Sequence, residues 1–225
     1  MTTFAPPFVA TYGETDPDAP LVVLLHGRGS NEHDILSLAP HLPEGAAYAA
    51  VRAPITEGGG FAWFANRGIG RPVAESLAET MAWFRTWLDD VTPTGRTVIL
   101  VGFSGGAAFA GGLVLDDPGR YAGAAILYGT LPFDAGVPVE AGRLVHLPVF
   151  VAQGDADQVI PAELLARTWD YLLGESAAHA SPWRDRGGHG LSDAAAAALH
   201  DWLTQRLRSL LHRAASADGP CNDVG

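Results

Sequence analysis

Val98-Ile-Leu-Val-Gly-Phe-Ser-Gly-Gly106 is the stretch from which the rest of the chain can be read. Residues 98–101 are β-branched or aliphatic without interruption, as a strand in a parallel sheet covered on both faces requires. The run stops at Gly102 and sets Ser104 between small residues. A serine exposed on a sharp strand-to-helix turn sits in a strained backbone conformation, so its neighbours two before and two after must lack bulk. Gly102 and Gly106 meet that demand, and Ala107, Ala108, Phe109 and Ala110 then open a helix whose first amides face the chemistry. The spacing predicts a nucleophile elbow at Ser104. Because G-x-S-x-G alone is a weak pattern in a chain with 27 glycines, and an ordinary α/β crossover also turns on glycine, the reading must draw on the remaining sequence.

Working outward, apolar segments alternate between strand and helix character. Residues 8–12 suit an edge strand, 21–25 a buried strand, and Ser30 or Asn31 can cap a helix running through Leu38. A third strand at 48–51 leads into a long Gly-rich, aromatic loop at 52–71. Pro72 then stands at the start of a helix to Leu88, with Val73, Leu77, Met81, Phe84 and Leu88 at three- and four-residue spacing. After the elbow come strands at 124–128 and 148–153, a helix at 162–173, a weak strand at 178–183 and a closing helix at 192–211. This alternation implies an α/β fold with a mostly parallel, doubly wound sheet flanked by helices, in which ligands bind outside the carboxyl ends of the strands.

Length and composition set the bounds. The 225 residues suit a single domain, 1–212, with a small, polar tail at 213–225 expected to be disordered. Hydrophobic residues at 48% and charged ones at 17% exclude disorder for most of the length, and no apolar run nears the roughly 20 residues that span a bilayer. The net charge is −11, and all 14 basic residues are arginine; an acidic surface repels phosphate backbones and anionic lipid, so neither nucleic acid nor membrane insertion is expected. Cys221 stands alone, which rules out an internal disulfide, and Met-Thr-Thr-Phe-Ala-Pro-Pro lacks the basic and apolar regions of a signal peptide. Cytoplasm is the expected compartment.

Two further strand ends carry chemistry. The strand at 148–153 exits into Gly154-Asp-Ala-Asp-Gln-Val-Ile-Pro161, and the next exits into Arg186-Gly-Gly-His-Gly190. Serine, then acid, then histidine, each after its own strand, is the chain order of α/β-hydrolases. A serine hydroxyl is a poor nucleophile at neutral pH; His189 would take its proton while a carboxylate fixes the imidazole tautomer. Asp155 and Asp157 compete for that role, since either can instead be a turn residue bonding its own backbone, and Asp157 is favoured. His189 could also mark a simple helix-entry turn. His26 is read as a residue that organises its loop by bonding backbone, and metal binding by His26, Asp155, Asp157 and His189 lacks the usual ligand spacing.

A tetrahedral intermediate needs two amide donors, and the amides of Arg28 and Gly105 stand in the two expected places. The Arg28 side chain is then free to face solvent, to bind a substrate carboxylate or to pair with the acidic loop, with a surface salt bridge favoured. Phe61, Trp63 and Phe64 either pack the core or wall an acyl pocket.

Together, Leu25-His-Gly-Arg-Gly-Ser-Asn, Gly102-Phe-Ser-Gly-Gly, Gly154-Asp-Ala-Asp-Gln-Val-Ile-Pro and Gly187-Gly-His-Gly resemble the phospholipase/carboxylesterase family, over about residues 8 to 211. The resemblance implies an α/β-hydrolase fold without a separate lid domain, no cofactor, and hydrolysis of carboxylic esters or thioesters. By motif, Ser104 is similar to the family nucleophile, Asp157 to its acid and His189 to its base, and the Ala62-Trp-Phe64 stretch resembles a Trp-Phe element common there. Gly105 replaces a frequent glutamine and Gln158 a frequent proline, which bears on substrate choice more than on chemistry. The expected function is a serine carboxylesterase acting on small esters through an acyl-enzyme. The alternatives are a thioesterase or lysophospholipase and, from a different class, a non-catalytic hydrolase-like binding protein. The expected partner is a small-molecule ester, with a homodimer left open.

Overall fold

The structure, a computed structural model, describes residues 4–92 and 95–217, with side chains through His212. In chain order the elements are β1 (Val9–Gly13), β2 (Leu21–Leu25), α1 (Glu32–Leu36), β3 (Ala47–Val51), the small hairpins β4 (Ile55–Glu57) with β5 (Gly60–Ala62) and β6 (Asn66–Gly68) with β7 (Arg71–Pro72), α2 (Ala74–Val91), β8 (Val98–Phe103), α3 (Gly105–Asp116), β9 (Gly123–Leu127), β10 (Pro148–Gly154), α4 (Ala162–Asp170), β11 (His179–Asp185) and α5 (Asp193–Ala217). Seven strands form one sheet in the order β1-β3-β2-β8-β9-β10-β11. β1 runs antiparallel to β3, and the other neighbours are parallel. This is the α/β-hydrolase fold, a mostly parallel central sheet with flanking helices.

The centre of the sheet is buried on both faces because β2, β3, β8 and β9 are apolar along their length, and the two-residue period deals their side chains to opposite sides. Leu21, Val23, Leu25, Val98 and Leu100 enter one core, which α2, α3 and α4 cover; Val22, Leu24, Ile99 and Val101 enter the other, which α1 and α5 cover. The helices bury matching stripes. Leu77, Met81, Phe84 and Leu88 face the sheet from α2, and Ala195, Leu199, Trp202, Leu203 and Leu207 face it from α5. α3 has no polar side at all and is buried along nearly its whole length.

Strand order reverses between β2 and β8, so the chain leaves β2 toward α1 on one face and leaves β8 toward α3 on the other. The resulting crevice at their carboxyl ends is where doubly wound sheets bind ligands. The loop after β2 carries His26 and Arg28, and the turn after β8 is Ser104.

Several boundaries differ from the sequence expectation. The loop at 52–71 is organised into two hairpins, and the second takes in Pro72, so α2 begins only at Ala74 with Val73 as its cap. Asn31, not Ser30, caps α1 by accepting from the amides of His33 and Asp34. α4 gives way at Tyr171 to a wider turn, Tyr171–Glu175, that includes Gly174. α5 continues to Ala217, five residues into the stretch expected to be a disordered tail; the remainder, 218–225 with Cys221, lies outside the described residues. No helix among the described residues is long and apolar enough to cross a membrane.

Candidate active site

Ser104 takes φ 54° and ψ −112°, a conformation that L-residues adopt only under constraint, at a cost of about 1–3 kcal/mol. The constraint is close backbone approach on both sides. A Cβ at Gly102 would lie 2.2 Å from the Gly106 carbonyl oxygen, and one at Gly106 would lie 2.1 Å from that of Leu25. Any side chain at either position collides with main chain that cannot swing away, so the glycines are what let β8 turn this sharply into α3. The Ser104 amide donates to Leu127 O (2.9 Å), and its carbonyl accepts from the amides of Ala107 and Ala108.

His189 arrives from the loop between β11 and α5, with Nε2 at 2.8 Å from Ser104 Oγ and Nδ1 at 2.8 Å from Asp157 Oδ2. A carboxylate can only accept, so Nδ1 carries the ring proton and Nε2 presents its lone pair to the serine hydroxyl. The Asp157 side chain has no solvent exposure, and its Oδ1 accepts from the amides of Val159 (2.8 Å) and Ile160 (3.1 Å). Asp155, two residues earlier, is exposed and contributes only its backbone amide, to Asp185 O. Of the two competing acids, Asp157 is the one brought to the histidine.

The amides of Arg28 and Gly105 converge beside the serine: a Cβ at Gly105 would stand 3.2 Å from Arg28 N, and one at Gly27 would stand 3.5 Å from Ser104 Cβ. Neither amide donates to a backbone carbonyl among the described residues. Two free N–H groups next to a serine–histidine pair can receive an anionic oxygen.

Residues 8–180 match the family profile described as Phospholipase/Carboxylesterase, a span that holds Ser104 and Asp157 and stops short of His189. The chain belongs to this family. It is also similar to the putative hydrolase MhqD of Bacillus subtilis (strain 168), 29% identical over 192 residues that cover 83% of this chain and 94% of that one. Among solved structures, the Bacillus cereus carboxylesterase superposes with a TM-score of 0.77 at 23% identity, covering 89% of this chain and 94% of that one. A carboxylesterase from Mesorhizobium loti gives 0.72 at 25% identity, with 82% and 88% covered. The first of these structural likenesses bears on fold alone; the family membership makes the chain a hydrolase of the phospholipase/carboxylesterase kind.

In this hydrolase the donor loop after β2 is fastened by the aromatic segment that follows β3. Gly29 N donates to Phe61 O (2.9 Å) and Phe61 N to Ser30 O (3.0 Å), while Trp63 Nε1 donates to His26 O (2.8 Å). His26, fully buried, bonds backbone at both nitrogens: Ala53 N donates to Nε2 (3.0 Å), which leaves Nδ1 to donate to Gly27 O (2.7 Å). Burial holds its pKa below the ordinary 6.5. The reading of His26 as a loop organiser therefore matches its contacts. The Arg28 side chain pairs with both Glu57 oxygens and donates to Phe64 O (2.9 Å), which is the surface salt bridge favoured from sequence, made with β4 and not with the acidic loop.

A cavity of about 550 Å³ opens at Ser104 and His189. Trp63 and Phe64 line it while also packing the core, Trp63 stacking on Phe109 at 4.5 Å. Phe61 is not among its walls; its ring lies under the Arg52 guanidinium. Ile69, Val159 and Ile160 also wall the cavity, and sequence reasoning singled out none of them as such. Val159 and Ile160 follow Asp157 closely enough to have been found from the acid motif. Beyond Ile35 and Phe103, which line both spaces, a shallower groove runs between α1 and α5. No group of three or more His, Cys, Asp or Glu among the described residues is placed to hold a metal ion.

Proposed function

We propose that this hydrolase is a serine carboxylesterase that cleaves small carboxylic esters through an acyl-enzyme. The observation that carries the reading is the 2.8 Å approach of Ser104 Oγ to His189 Nε2, with Asp157 fixing the other ring nitrogen. Ser104 Oγ attacks the ester carbonyl carbon as His189 Nε2 takes its proton, and the carbonyl oxygen, now an oxyanion, is received by the amides of Arg28 and Gly105. Asp157 stabilises the imidazolium that forms without itself taking the proton. Collapse of the tetrahedral intermediate breaks the bond to the alcohol oxygen, which receives the proton from His189. Water then attacks the acyl-enzyme, with His189 taking its proton, and Ser104 is regenerated as the acid leaves. The acyl group fits the 550 Å³ cavity with its Trp63, Phe64, Ile69 and Ile160 walls, and a cavity of that size suits small to medium acyl groups.

The test is a fluorophosphonate probe followed by peptide mapping, alongside a series of esters with one reporter alcohol and increasing acyl length. Ser104 should be the labelled residue, and Ser104→Ala should lose labelling and turnover, the latter by roughly five to six orders of magnitude. An unlabelled Ser104 in a folded protein would overturn the serine mechanism. Matched thioesters and lysophospholipids in the same assay separate the thioesterase and lysophospholipase readings.

A further inference from the structure

Asp185, the last residue of β11, accepts three hydrogen bonds around the loop that carries His189. Its Oδ1 takes the Gly187 amide (2.8 Å), and its Oδ2 takes the hydroxyls of Ser192 (2.6 Å) and Tyr128 (2.6 Å). Gly187 lies two residues before His189 and Ser192 three after, so both stems of the loop end on one carboxylate. The acid loop hangs from the same segment: Asp155 N donates to Asp185 O (2.8 Å) and Ala156 N to Gly187 O (2.9 Å).

Tyr128 links this carboxylate to the nucleophile. It is fully buried, and its φ of 48° lies in the left-handed region, an uncommon conformation for a bulky residue and a costly one. That conformation turns the chain into Gly129, where a Cβ would stand 2.6 Å from the Ser104 carbonyl oxygen. The residue that lies against the floor of the elbow thus follows directly on the one whose hydroxyl holds Asp185. We infer that Asp185, held by Tyr128 and Ser192, is the positioning residue that sets His189 and the Asp157 loop against Ser104. The inference rests on the serine-hydrolase reading above. Charge states suit the arrangement. The Ser192 and Tyr128 hydroxyls hold the Asp185 carboxyl below its usual range, and burial pushes the Tyr128 hydroxyl up to about 12, so at neutral pH the carboxylate only accepts and the tyrosine keeps the proton it donates to it.

Tyr128→Phe removes one anchor with no loss of ring, Ser192→Ala removes another, Ser192→Thr restores a hydroxyl, and Asp185→Asn keeps the size of the hub. For each, active sites are counted by fluorophosphonate titration, and kcat, KM and melting temperature are measured with one reporter ester. Tyr128→Phe and Ser192→Ala should lower kcat per titrated site by about 10- to 100-fold with KM little changed, since an ångström of misplacement costs on that order. Ser192→Thr should recover most of the loss. Variants that melt earlier yet turn over at the wild-type rate per titrated site would overturn the inference, as would failure of the threonine to rescue. If Asp185→Asn does not fold, the tyrosine and serine variants decide alone. Wild-type protein that neither labels nor turns over esters would defeat the serine reading itself, a result distinct from an active wild type with indifferent variants.

Discussion

His189 Nδ1 stands 2.8 Å from Oδ2 of Asp157, a carboxylate without solvent exposure whose other oxygen is held by two successive amides. The acid cannot rotate away or exchange with water, so the imidazole tautomer is set by the fold. Asp157→Asn would present an amide to Nδ1 and favour the wrong tautomer, and kcat should fall by about 10⁴ with KM nearly unchanged. Asp155→Asn, at an exposed side chain, should stay within about threefold of wild type, as surface substitutions usually perturb little. Steady-state kinetics on the two variants checks the assignment; a larger loss at Asp155 would reverse it.

Gly106 is necessary to the geometry of the elbow. An added methyl would meet Leu25 O at 2.1 Å and His26 O at 2.7 Å, both main-chain atoms of the strand end that leads into the donor loop. Gly106→Ala should destabilise by at least the roughly 1–3 kcal/mol typical of overpacking, and the surviving folded fraction should be impaired in catalysis because the strain displaces the loop of Arg28. Thermal melting with active-site titration measures both effects. A variant that melts and turns over like wild type would show that the approach is looser than these contacts require.

The stability of the site should fall in mild acid because of His26. Folded, the ring must stay neutral, since Nε2 accepts from Ala53 N and burial lowers the pKa below 6.5; unfolded, it titrates at its ordinary value. The unfolded chain therefore binds a proton that the folded one refuses. The stability contributed by this residue is complete above the unfolded pKa and drains away as pH falls through it, at up to about 1.4 kcal/mol per pH unit. Below that window Glu32 adds a second loss, since the hydrogen bond from Arg52 lowers its pKa and acid removes the pairing. Denaturant melts from pH 7.5 to 5 should show the decline, and His26→Gln, though less stable throughout, should flatten the part nearest neutrality. An unchanged slope in that variant would assign the effect elsewhere.

What was readable from sequence was what is local. Ser104, Asp157 and His189 each follow a strand's carboxyl end with a glycine within three residues, and the strands before the first two are apolar runs recognisable alone, so order along the chain was enough to nominate the three as candidates. What was not readable depends on partners far away in sequence. The hairpins β4 to β7 are two or three residues per strand; the first is fastened through Phe61 to the loop after β2 and the second reaches Asp134 and Glu163, ties that no periodicity encodes. Asp185 and Tyr128, 57 positions apart, carry no motif. The end of α5 is hidden in the sequence for a different reason: Arg-Ala-Ala-Ser-Ala at 213–217 looks small and polar as composition, yet alanine and arginine are strong helix formers, and no glycine or proline intervenes before Gly219.

Arg28 separates what a backbone does from what its side chain does. Its amide lies beside Gly105, where the proposed mechanism calls for a donor, while its guanidinium is engaged by Glu57 and Phe64 O and so ties the loop after β2 to the aromatic segment. Arg28→Ala keeps the amide and loses the tie, so the donor should remain but become less well fixed. The expected cost is about tenfold in kcat, well short of the 10²–10³ that loss of a whole oxyanion donor brings. KM should change alike for neutral and carboxylate-bearing esters, because the guanidinium is already paired. Glu57→Gln should give a smaller change of the same kind, since the Phe64 carbonyl still holds the arginine. A loss confined to acidic esters would instead make Arg28 a substrate-carboxylate site, with Glu57 merely occupying it when substrate is absent. A loss of 10³ in the alanine variant would mean that the amide moves with its side chain and that the aromatic segment alone cannot hold the loop.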